Sequence, residues 1–61
     1  MEILLWQART NKGWVLEQLE KKSGVSKATL NRIENGQTSP TMDVMEKVAK
    51  ALNIRISDLY E

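Results

Sequence analysis

Between residues 27 and 32 the chain carries Lys27, Ala28, Thr29, Asn31 and Arg32, side-chain types that can read the edges of nucleic-acid bases. Arg and Lys donate to guanine O6 and N7, Asn pairs with adenine, and the methyl of Ala or Thr meets the thymine methyl. Lys27 and Asn31 are four residues apart, as are Ala28 and Arg32, so on a helix each pair shares a face. Leu30 and Ile33 point the other way, into a core. On residue types alone, an ordinary solvated helix face accounts for the same pattern and is the default reading.

Other chemistries find little support. There is no cysteine and no histidine, which removes disulfides, thiolate metal sites and the common nucleophile–base pairs. No Gly-rich phosphate loop and no metal-ligand cluster appears, so neither catalysis, a metal nor a cofactor is expected. The net charge of +1 says little about partners by itself. Its distribution says more: residues 9–40 hold six basic against three acidic side chains, residues 41–61 three against four. A basic middle fits a face that meets phosphates, although solvated surface charge explains it as readily. The apolar run Ile3-Leu4-Leu5-Trp6 falls far short of the roughly 20 residues needed to span a bilayer, and no basic leader with a cleavage site precedes it. A soluble, cytoplasmic protein is the expectation.

Five short helices are predicted to position these residues. The first runs from Glu2 to about Asn11 and ends before Gly13; the second runs from about Val15 to Lys22 or Ser23, with Val15, Leu16 and Leu19 on its apolar side. Gly24 breaks it by taking positive φ. Ser26 caps the third helix, Lys27 to Glu34, which stops at Asn35-Gly36. Thr41 caps the fourth, which is expected to bury Met42, Met45, Val48, Ala49 and Leu52. A short fifth helix, about Ile56 to Tyr60, closes the unit with Leu59 inward. With 61 residues and no staples, helix packing must supply the stability. Residues 1–61 are read as a single all-α domain.

The most informative stretch is Leu16 to Gly36, LEQLEKKSGVSKATLNRIENG, two helices of about eight residues around a glycine-containing turn. Leu19, Val25, Leu30 and Ile33 occupy its apolar positions. Arg9-x-x-x-Gly13, Leu16-x-x-Leu19, Ser23-Gly24-Val25-Ser26, Thr29-Leu30-x-Arg32-Ile33-Glu34-Asn35-Gly36, Ser39-Pro40-Thr41 and Ala49-Lys50-Ala51-Leu52 stand in order along the chain. On these pieces the chain resembles the Cro/C1-type (XRE-like) family of helix-turn-helix DNA-binding domains, from about Leu5 to Tyr60. The resemblance implies a compact five-helix, lambda-repressor-like fold with its helix-turn-helix at helices two and three. It also implies that helix three enters the DNA major groove. Lys27, Ala28, Thr29, Asn31 and Arg32 then become base contacts. Ser26, Asn35, Gly36, Gln37, Thr38 and Ser39 become phosphate contacts. Arg9 and Glu34 become an internal brace between helices one and three.

Several positions depart from the family pattern. Glu20 stands where a small alanine is usual, so either the crossing of helices two and three opens or the carboxylate leans out to a lysine. Val15 stands where Ser or Thr often caps helix two, forfeiting about 1 kcal/mol. Leu16 stands where a Gln-like donor is common, and the neutral 37–39 loop stands where basic residues are common, which implies a shallower salt dependence. Trp14 is expected to enter the core, and Trp6 to pack on the domain near Tyr60 in preference to forming a dimer contact. The function implied is a sequence-specific transcription regulator, a repressor, binding double-stranded DNA as a homodimer on a near-palindromic operator. The dimer is expected to use the helical surface itself or to form only on DNA. A protein-interaction module, such as an antitoxin partner with or without DNA binding, is the alternative.

Overall fold

The local signals for capping and termination place four α-helices and a final one-turn 3₁₀ helix. The computed structural model describes residues 2–61, so the first residue of the expected 1–61 unit lies outside it. Helix α1 spans Leu5–Lys12, α2 Leu16–Ser23, α3 Lys27–Glu34 and α4 Met42–Leu52, and the 3₁₀ turn spans Ile56–Leu59. Ser26 and Thr41 cap as their types demand: the Ser26 hydroxyl accepts from the Thr29 N–H at 3.2 Å and the Thr41 hydroxyl from the Val44 N–H at 3.2 Å. Val15 has no side-chain acceptor to offer α2. Gln18 restores half of a capping box by accepting the Val15 N–H at 3.0 Å.

Gly24 carries the turn between α2 and α3 at φ 77, with its N–H bonded to the Glu20 carbonyl at 2.9 Å. A Cβ there would meet nothing within 4 Å, so the demand for glycine is conformational and not steric. Asn53 ends α4 in the same left-handed region at φ 57, which asparagine tolerates better than most residues.

The core is a single cluster. Leu19, Leu30, Leu52, Leu59 and Val48 are fully buried, joined by Leu5, Val25, Ile33, Met45 and Ala49. α2 packs on both α3 and α4, and α4 on the 3₁₀ turn. All four apolar positions assigned to the helix-turn-helix are therefore inside. No helix among the described residues is long and apolar enough to cross a membrane.

The chain ends depart from the sequence expectation. The first helix begins at Leu5 and not at Glu2. Residues 2–4 instead run antiparallel to the C-terminus, with Glu2 N–H to Glu61 carbonyl at 3.0 Å, Glu61 N–H to Glu2 carbonyl at 2.8 Å and Leu4 N–H to Leu59 carbonyl at 2.8 Å. A helix starting at Glu2 would leave its first N–H groups without intrahelical partners, whereas pairing with the C-terminal residues satisfies two of them. The same pairing corrects the fifth helix. It is a four-residue 3₁₀ turn, and Tyr60 leaves it at φ −148, ψ 160 to bridge Ile3.

Three apolar residues lie further out than expected. Met42 is 60% exposed because it is the first residue of α4, and the apolar stripe of that helix begins one turn later at Met45. Val15 is 56% exposed because it is the extended cap of α2 and not part of the helix. Trp6 is 54% exposed and is not among the apolar residues packed on the core, while Trp14 packs against it as expected.

Candidate nucleic-acid interface

Helix α3 is divided cleanly. Leu30 and Ile33 are buried at 0% and 4% exposure, while Lys27, Ala28, Asn31 and Arg32 are exposed together on the outer side. The core contacts of one face thus fix the direction of the other. Thr29 is half-buried between them, and its hydroxyl accepts from Ser26 Oγ at 2.8 Å. Both hydroxyls are thereby engaged in closing the first turn of α3.

The C-terminal end of α3 is tied to α1. Arg9 Nε donates to Glu34 Oε2 at 2.6 Å and a terminal nitrogen donates to Glu34 Oε1 at 2.9 Å. The remaining nitrogen donates to the Trp14 carbonyl at 2.8 Å, so one guanidinium joins α1, the segment before α2, and α3. The side chains are only 12% and 5% exposed. The hydrogen bond to Glu34 raises the Arg9 pKa, burial opposes the rise, and the Glu34 charge adds to it. This planar two-point geometry is one that arginine, and not lysine, provides.

The N-terminal end of α3 is tied to α2. Lys27 Nζ donates to Glu17 Oε2 at 2.7 Å, and the Lys27 backbone N–H donates to Glu20 Oε2 at 2.9 Å. Glu20 therefore leans out to α3, but it takes the backbone of a lysine and not its ammonium. It satisfies one of the free N–H groups at the start of the helix. Hydrogen bonding to Lys27 holds the Glu17 carboxyl below its ordinary range, and the same bond raises the Lys27 ammonium. The pair sits in solvent, with side chains 49% and 62% exposed.

The remaining expected positions surround the end of α3. Asn35 Nδ2 lies 3.4 Å from Asn31 Oδ1, coupling a base candidate to a phosphate candidate. The N–H groups of Asn35, Gly36 and Gln37 bond back to the carbonyls of Asn31, Ile33 and Arg32. Asn35 and Gln37 thus present side-chain amides, followed by the exposed hydroxyls of Thr38 and Ser39. Gly36 turns the chain at φ 73. The Arg32 side chain is exposed and makes no hydrogen bond or ion pair among the described residues.

Sequence reasoning brought all the outer-face residues together, but it did not find Glu17. The available signal was the three-residue spacing of Glu17 and Glu20, which puts both acids on one side of α2.

A family model described as helix-turn-helix matches residues 7–59, nearly the whole chain. The chain belongs to the Cro/C1-type helix-turn-helix family. Among its relatives is the HTH-type transcriptional regulator SutR of Escherichia coli (strain K12), 43% identical over 53 residues, covering 87% of this chain and 30% of SutR. The HTH-type transcriptional regulator SinR of Bacillus subtilis (strain 168) is 39% identical over 56 residues, 90% of this chain and 50% of SinR. An uncharacterized HTH-type transcriptional regulator of Archaeoglobus fulgidus is 33% identical over 60 residues, 98% of this chain and 86% of its own length. No solved structure gives a significant match. The chain spans half or less of the length of SutR and SinR.

Proposed function

We propose that this helix-turn-helix chain is a sequence-specific DNA-binding transcription regulator, acting as a repressor, which reads the major groove with α3. The observation that carries the reading is the outer face of α3. Two cationic side chains and an amide project from one exposed strip, while the helix is held from behind by Leu30 and Ile33 and at both ends by ion pairs. A helix fixed from behind with donor side chains along its outer side is what base-edge recognition requires.

In this reading Lys27 and Arg32 donate to guanine and Asn31 to adenine, while Ala28 and the Thr29 methyl meet thymine. Ser26, Asn35, Gly36, Gln37, Thr38 and Ser39 line the phosphate backbone and set register without reading sequence. All of that second set is neutral, so few counterions are released and affinity falls gently with salt. The protein binds as a homodimer on a near-palindromic operator, with half-site centres about 34 Å apart on one side of the duplex. It works in the cytoplasm and performs no catalysis.

The test is selection of bound duplexes from a random pool, followed by gel shifts at two salt concentrations. The expected result is an enriched, near-palindromic motif with a shallow salt slope. A pool that enriches nothing overturns the sequence-specific reading and leaves the helical surface to a protein partner.

A further inference from the structure

Two acidic side chains of α2 converge on one residue of the helix assigned to base reading. Glu17 takes the Lys27 ammonium at 2.7 Å and Glu20 takes the Lys27 backbone N–H at 2.9 Å. For a helix that approaches a polyanion this is an unexpected arrangement. The N-terminus of a helix attracts phosphate through its free N–H groups and the positive end of its dipole. Here one of those N–H groups already faces a carboxylate, and the nearest cation already has a counterion. Both acids oppose phosphate at the point where a lysine alone would welcome it.

The two contacts differ in how readily they exchange. Glu20 is half-buried against α3 and holds backbone, which cannot swing away. The Glu17–Lys27 pair lies in solvent at 62% and 49% exposure, where an ion pair forms and breaks at little net cost. On an arbitrary duplex, Lys27 has only a scattered phosphate to gain by leaving Glu17, and Glu17 itself repels that phosphate. Opposite a guanine, O6 and N7 present two acceptors together inside the groove, a better partner than a solvated carboxylate.

We propose that Glu17, set in place on α2 beside Glu20, is a specificity-determining residue: it withholds Lys27 from the phosphate backbone and yields it to a guanine edge. Its effect is on the ratio of specific to non-specific binding, not on the fold. The proposal rests on the DNA-binding reading given above and deepens it.

The experiment compares the full chain with Glu17→Gln, Lys27→Ala and the double variant. Each is titrated on the duplex that the unsubstituted chain selects and on a scrambled duplex of equal length, at two salt concentrations. Glu17→Gln is expected to bind the scrambled duplex more tightly and to lower the specificity ratio roughly five- to tenfold, one base contact's worth. Its non-specific salt slope should steepen by about one, as Lys27 moves to a phosphate. In the Lys27→Ala background the same substitution should leave the ratio unchanged, because there is no ammonium left to withhold. A Glu17→Gln protein with the original ratio and slope overturns the proposal, and so does an equal loss of ratio in the Lys27→Ala background. Both results leave the DNA-binding reading standing if the unsubstituted chain still discriminates. If the unsubstituted chain does not discriminate, the DNA-binding reading falls and takes this proposal with it.

Discussion

At its C-terminal end α3 is held by Arg9 on Glu34, with side chains 12% and 5% exposed; at its N-terminal end Lys27 meets Glu17 at a similar distance, with side chains 49% and 62% exposed. Both contacts are ion pairs between helices, and in a drawing they look alike. Their surroundings make them different devices. The inner pair has lost most of its water, so each partner depends on the other and removing one strands a buried charge. The outer pair keeps its water, and either partner can be satisfied by solvent or by something better. The ion pair at one end of the helix is therefore fixed and the ion pair at the other is exchangeable, which suits the proposed transfer of Lys27 from Glu17 to a base.

The largest expected effect tests the fixed end. Arg9→Ala should destabilise the domain by about 3 kcal/mol, the low end for a buried pair, since the largely covered Glu34 carboxylate loses its counterion. At roughly 4–8 °C per kcal/mol for a domain of this size, thermal unfolding followed by circular dichroism would show it plainly. Glu17→Gln should lower the thermal midpoint far less, because its pair with Lys27 lies in solvent. Equal losses from the two substitutions would break the comparison.

Next in size is the outer face between the two ends. Arg32→Ala should relax selection at one base position by roughly 1–3 kcal/mol while other positions keep their preference. Uniform weakening on every duplex would make Arg32 a phosphate ligand.

Smaller effects sharpen the account of the N-terminal end. Ser26→Ala and Glu20→Ala should each cost about 1 kcal/mol in chemical denaturation, because each leaves a first-turn N–H of α3 without its acceptor. Val15→Thr at the neighbouring cap of α2 should recover a similar amount, about 1 kcal/mol, by supplying the missing hydroxyl.

The smallest effect is a pH dependence confined to the outer pair. The Glu17 pKa is lowered in the folded state, so its contribution is present above the ordinary carboxylate value and is lost as pH falls through the lowered one. The Lys27 pKa is raised, so its contribution is full below the ordinary lysine value and is lost as pH rises through the raised one. The thermal midpoint of the unsubstituted chain minus that of Glu17→Gln should therefore be flat between the carboxylate and lysine ranges and fall off on both sides. A difference that is flat throughout would mean the pair does not persist in solution.

Much of this site was legible before any coordinates. The alternation of Leu30 and Ile33 with Lys27, Ala28, Asn31 and Arg32 assigns the two faces of α3, since a helix repeats every 3.6 residues. Ser26 and Thr41 announce helix starts because their hydroxyls are suited to the first free N–H groups. The Arg9–Glu34 brace follows from family resemblance, because the partners are 25 positions apart and no local pattern connects them. Met42 and Trp6 were misjudged for a common reason. An apolar side chain signals burial only if a neighbour arrives to cover it, and neither the first residue of α4 nor the outer side of α1 has one.

What the sequence determined by itself is what local chemistry and periodicity control: the bodies of the four α-helices, the Ser26 and Thr41 caps, the glycine turn at Gly24, most of the core stripe and the outer face of α3. The tertiary structure decided what depends on residues far apart in the chain. It paired residues 2–4 with the C-terminus, a contact across nearly the full length of the chain, and so shortened α1 and ended the 3₁₀ turn before Tyr60. It brought Glu17 and Glu20 onto Lys27 across the turn, and it buried one ion pair while leaving the other in water. Burial and partner choice are properties of the packed assembly, because the dielectric around a charge depends on what surrounds it and not on its neighbours in sequence. The two ends of α3 are told apart only there.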